Sequence, residues 1–174
     1  MACVLNSGVL RECGHSFGGL KELWLGNFDD IQSMDYGTDG AISGVTLATG
    51  AAIFEFQFAK DTGQALEELQ KNGASSMIQQ TLNFQLTGIN LEKRKVLNDL
   101  SLAKVFAIVK KSDNKYWFYG DFNRSAGLEA VTLSNDTGTA QADGGFASVS
   151  IQGMALEYAT TIPDTLVETL ASDV

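Results

Sequence analysis

Histidine, cysteine and proline are nearly absent from this chain, with one His, two Cys and one Pro among 174 residues. The lone imidazole, His15, falls in a small, polar, turn-rich N-terminal stretch. General acid–base chemistry needs a rigidly positioned partner, and nothing there supplies one. Cys3 and Cys13 are too few for a disulfide framework and are read as free thiols. With His15 they form C-x9-C-x-H, which matches no standard zinc site and lacks a fourth ligand. No apolar run approaches the roughly 18 residues that span a bilayer, so no membrane partner is expected. The opening MACVLNSGVLRECGH has no basic start, sustained apolar region or cleavage site. A cytoplasmic place of synthesis is therefore expected.

Catalytic signatures are missing as well. The sequence has no G-x-S-x-G, P-loop or G-x-G-x-x-G pattern. The carboxylate pairs Glu67-Glu68 and Asp29-Asp30 are neighbours in sequence, which does not make them converge in space. The cluster Asp29, Asp30, Asp35 and Asp39 lacks the ligand order and closing glutamate of a calcium-binding loop, and a solvated turn is the better reading. The expectation is a non-enzyme with no cofactor and no metal.

Positive charge is scarce and confined. Seven of the twelve Lys and Arg residues fall between Lys93 and Lys115, while the net charge is −9. From Tyr116 to Val174 there are eight acidic residues and a single basic one, Arg124. A nucleic-acid binder displaces phosphate counterions with basic groups, and this chain is globally wrong for that role. The basic stretch suits an acidic partner surface, including that of an identical neighbour.

What the chain does have is alternation. Around 51–60, Ala52, Phe54, Phe56 and Phe58 fall on one face of an extended strand, opposite Ile53, Glu55 and Gln57. Around 77–88, Ile78, Leu82, Phe84 and Leu86 share a face that only Gln80 interrupts. The other face carries Gln79, Thr81, Asn83, Gln85 and Thr87. Between the two, Lys60–Ser76 reads as a polar arm with a short helix over Gln64–Gln70, ended by Lys71-Asn72-Gly73. Further strands are expected over Leu20–Leu25, Ala41–Leu47, Val105–Val109, Tyr116–Phe122, Ala126–Leu133 and Phe146–Tyr158, with loops at Asn27–Gly40 and Asn135–Gly145.

In the last strand, Val149, Ile151 and Ala155 oppose Ser148, Ser150, Gln152 and Met154. Asn90 is placed to cap a helix over LEKRKVLNDLSLA, with an apolar stripe of Leu91, Val96, Leu97 and Leu100 and with Lys93, Arg94 and Lys95 in water. A second short helix follows Pro163. The sum is a mainly β protein, a β-sandwich or open barrel with one flanking helix. The domain, 18–174, follows an N-terminal interface arm, 1–17, and carries a long hairpin arm over 51–88.

The order of these elements resembles that of the tail tube (major tail) proteins of long-tailed bacteriophages and related contractile systems. The opening MAC…GHSFGGLKELWLGNFDDI is similar to structural proteins of phages infecting Bacteroidetes-type hosts, as are TLNFQLTGINLEKRKVLNDL and GGFASVSIQGMALEYA. The resemblance implies a virion protein that assembles with itself into rings, commonly hexameric, stacked into a DNA-conducting tube. Strands 51–60 and 77–88 would then line the lumen through Glu55, Gln57, Gln79, Thr81, Asn83, Gln85 and Thr87. Lys93, Arg94, Lys95, Leu66 and Leu69 would lie at interfaces. Tip and terminator proteins of the tail would be further partners, and DNA would pass without specific binding. Two other readings compete: a capsid decoration or head–tail joining protein, and a monomeric carbohydrate- or protein-binding β-domain using its aromatic hairpin.

Overall fold

The computed structural model describes residues 18–73, 75–137 and 145–172. The arm 1–17, with Cys3, Cys13 and His15, lies outside the described residues. The fold is mainly β, a large antiparallel sheet with two helices. The strands are β1 (Leu20–Asn27), β2 (Ile31–Tyr36), β3 (Ile42–Leu47), β4 (Ile53–Glu55), β5 (Gln64–Asn72), β6 (Ser75–Thr87), β7 (Lys104–Lys111), β8 (Tyr116–Tyr119), β9 (Leu128–Asp136), β10 (Phe146–Ala155) and β11 (Thr160–Ile162). Helix α1 spans Leu91–Leu102 and α2 spans Asp164–Ser172.

Nine strands form one hydrogen-bonded sheet that folds over on itself. One half is β5-β6-β10-β9 and the other is β11-β8-β7-β1-β4. They are joined where Lys104 and Val105 of β7 pair with Glu129 and Leu128 of β9. Leu82, Phe84, Val149 and Ile151 from the first half pack against Leu23, Leu25, Ala107 and Val109 from the second. The second half is buried on both faces. Phe106, Ile108 and Phe118 on its far side meet Ile31, Ile42 and Val45 of the β2–β3 hairpin and Val167 and Leu170 of α2.

Helix α1 forms where capping chemistry placed it. Asn90 Oδ1 accepts the Lys93 amide N–H at 2.9 Å, satisfying one of the free donors of the first turn. Its apolar stripe is only partly used. Leu100 is buried and Leu97 half-buried, whereas Leu91 and Val96 are exposed.

Three expectations are corrected. First, 51–60 is not a long strand. Only Ile53–Glu55 pairs with β1, and Ile53 is buried while Phe54 is 53% exposed, the reverse of the expected facing. The chain then leaves the sheet edge and crosses to the other half, where the Ala59 amide reaches the Gln85 carbonyl at 2.7 Å. Phe56 and Phe58 close the open side of the sandwich around Phe84, at centroid distances of 6.1 and 6.4 Å. Burial of two rings favours this crossing over a longer strand.

Second, Lys60–Ser76 is neither an arm nor a helix. Gln64–Asn72 pairs with β6 from Gln64↔Asn83 to Asn72↔Ser75. The run QALEELQ has helix-forming composition, yet the ladder to β6 and the inward burial of Ala65 override it. Gly73, at φ +61, serves the hairpin turn instead of a helix cap. Third, Asn27–Gly40 is not all loop: a 3₁₀ turn (Phe28–Asp30) leads into β2, held by burial of Phe28 and Ile31.

Candidate functional site

One broad sheet face has no layer over it: the outer side of β5-β6-β10-β9. Directly paired residues of antiparallel strands share a face, so the register builds it row by row. Thr87, Phe146 and Asp136 form one row, and Gln85, Ser148 and Ser134 the next. Gln64, Asn83, Ser150 and Thr132 follow, then Leu66, Thr81, Gln152 and Glu129. Glu68, Gln79 and Met154 come next, and Gln70 and Met77 last. The rows hold three carboxylates and no Lys or Arg.

The amides on this face bond to one another. Gln70 Nε2 donates to Gln79 Oε1 at 3.1 Å, and Gln79 Nε2 donates to Gln152 Oε1 at 3.0 Å, a ladder across β5, β6 and β10. Asn83 Nδ2 reaches Gln64 Oε1 at 3.4 Å. Lying flat along the sheet, these side chains leave Gln79, Asn83 and Gln85 half-buried and Thr81 buried.

Behind this face, Gln80 is fully buried, and its Oε1 accepts the Gly120 amide N–H at 2.9 Å. Its neighbour across the ladder, Glu67, accepts the Ala159 amide N–H. The Tyr119 hydroxyl is buried without a hydrogen-bond partner, and burial, then the nearby Glu67 carboxylate, pushes its pKa above the usual 10.0. Gly153 sits opposite Gln80 because a Cβ there would come within 2.8 Å of the Gly127 carbonyl oxygen. Two edges of this half-sheet have no strand partner among the described residues: the outer side of β5, and β9 beyond its short pairing with β7.

The expected polar wall is thus rebuilt from different strands. Gln79, Thr81, Asn83, Gln85 and Thr87 do share one outer face. Glu55 and Gln57 do not join it, because they lie on and just beyond β4 at the edge of the other half, where Gln57 Nε2 and Glu55 Oε2 are 3.4 Å apart. Leu66 and Leu69 lie on the free strand β5 and are 37% and 55% exposed. Ser148, Ser150 and Gln152 complete the wall; their alternation was visible in the sequence, but not their pairing with β6.

The basic stretch does not form one patch. Lys93 Nζ caps the Thr87 carbonyl at 2.7 Å. Lys104 lies over the Phe28 ring and Lys111 over the Trp117 ring. Lys110 binds Glu22 and Tyr116 at 3.0 and 3.2 Å. Arg94, Lys95 and Lys115 are exposed.

The aromatic hairpin presents no open platform, since Tyr116, Phe118 and Tyr119 are buried. The aspartates of 29–39 diverge: Asp29 approaches Lys104 at 3.9 Å, and Asp39 accepts the Ala41 amide N–H at 3.2 Å. Among the described residues no three His, Cys, Asp or Glu side chains are grouped to hold a metal ion, and no helix is long and apolar enough to cross a membrane. No protein-family model, curated protein or solved structure matches the chain.

Proposed function

We propose that this chain is a structural subunit that polymerises into a hollow tube of the phage-tail kind, with the face of β5-β6-β10-β9 turned to the lumen. The observation that carries the reading is that the one uncovered sheet face is amide-rich and cation-free and ends in two unpaired strand edges. Unpaired edges are templates for association, and closure into a barrel removes them. Pairing of β5 in one copy with β9 in the next would continue the sheet around a ring.

The dimensions agree with such a ring. Four strands at about 4.8 Å give each copy roughly 19 Å of arc, so six copies close a barrel of about 37 Å backbone diameter before strand tilt. Side chains projecting about 5 Å inward leave about 27 Å clear, room for a nucleic-acid duplex. A wall without Lys or Arg forms no ion pairs with passing phosphates, and its three carboxylates repel them. Catalysis has no part in this function.

Sedimentation velocity over a concentration series tests the reading, with Leu66→Lys/Leu69→Lys as the comparison. The wild type should form large species that the double variant, with lysines on the β5 edge, does not. If the two sediment alike at every concentration, β5 is not an assembly edge.

A further inference from the structure

An open groove of about 760 Å³ runs between α1 and the β4 edge, away from the amide face. Its walls are largely apolar and include Leu86, Leu97 and Leu100. Two of its side chains are unusually bare for their type: Phe54 is 53% exposed and Val96 47%. Along one side, β4 is bonded to β1 and has no strand beyond it among the described residues. The groove therefore offers a free strand edge above an apolar floor, the combination that accepts an extended peptide as an added strand.

We propose that this groove receives the segment 1–17 of a second copy of the chain; the inference rests on the self-assembly argued above. That segment carries the apolar pairs Val4-Leu5 and Val9-Leu10, with Arg11 and Glu12 its only Lys, Arg, Asp or Glu residues. Fully extended, 17 residues reach about 56 Å, enough to cross to a neighbouring subunit. Its own groove is poorly placed. The segment joins the fold at Gly18, whose carbonyl accepts the Ser112 hydroxyl at 2.7 Å, beside the Leu20↔Lys111 end of β1. The groove lies at the opposite end of β1, where Gly26 pairs with Ile53. The crossing 56–63, which brings Gly63 against Leu20 and Phe58, occupies the path between them.

The native thiols of the segment give the test. Full-length Val96→Cys protein is oxidised with diamide at assembling concentration and run on a non-reducing gel beside Tyr36→Cys, a surface control on β2. The expected result is covalent dimers and longer chains that need Cys3 or Cys13, lost in Cys3→Ser/Cys13→Ser. They should form roughly 100-fold faster than with Tyr36→Cys, as for thiols held at millimolar effective concentration. Disulfide-linked protein that stays monomeric would place the segment in its own groove and overturn the proposal. Absence of the Val96→Cys link in a sample that micrographs show to be polymerised would also overturn it, leaving the tube reading intact. Absence of both link and polymer would sink the two together.

Discussion

Gln80 interrupts an otherwise apolar face of β6, and its side-chain oxygen is the partner of the Gly120 amide N–H. Gln80→Leu would restore the apolar pattern yet leave that donor unpaired. Stability in urea should fall by about 1–3 kcal/mol. Gly153→Ala acts one strand away by sterics: the new methyl meets the Gly127 carbonyl and a Leu128 methyl carbon at 2.8 and 2.7 Å. The expected loss is again about 1–3 kcal/mol, read from the same denaturation curve.

Glu22 gives a pH signature. Burial alone would raise its pKa, but hydrogen bonds from Tyr116 and Lys110 overcome that and hold it below the usual 4.5. A depressed carboxyl contributes stability that is present above its unfolded-state pKa and lost as pH falls through the folded-state value. Glu22→Gln should cost about 1 kcal/mol at neutral pH, since the cluster is partly exposed. It should also flatten the decline below pH 4.5, measured by denaturation across an acid pH series. Lys110, raised above 10.5 chiefly by its hydrogen bond to Glu22, has the opposite sign. Its contribution is complete below 10.5 and fades as pH rises through the folded-state value.

Among the elements, α1 shows local chemistry acting as written. Asn90→Ala removes the cap on the Lys93 amide, and a loss of about 1 kcal/mol is expected in thermal or urea melts. Strands β6 and β10 were equally legible, because a strict period of two survives wherever one face is buried and the other is not. Strand β5 was not legible. Glu67, Glu68 and Leu69 spell a helix locally, and only the partner ladder of β6, invisible in a single sequence, makes them a strand. The Phe54–Phe58 run misled for a related reason: three phenylalanines at alternate positions fit a strand face, yet Phe56 and Phe58 are buried by a chain crossing and Phe54 faces the α1 groove. Half of the candidate face could be read from β6. The contributions of β5, β9 and β10 required the register.

At the scale of the whole molecule, the layers assign each face a role. The β2–β3 hairpin and α2 cover one side of the sandwich, α1 borders the groove, and the amide face alone is bare. Charge reversal on that face should leave the fold intact, because Gln79 and Gln152 point away from the core. Gln79→Lys/Gln152→Lys is expected to polymerise as the wild type does. Polymers of the variant should retain double-stranded DNA in a salt-sensitive manner, since lysines on the lumen wall now meet phosphates. A filter-retention assay at low and high salt reads the difference.

Cryo-electron microscopy of the concentrated wild-type protein tests the central claim most directly. The account predicts hollow polymers in which β5 of one subunit pairs with β9 of the next and Gln79, Asn83 and Gln152 face the channel. Polymers lined by another face, or single-chain particles at every concentration, would contradict it.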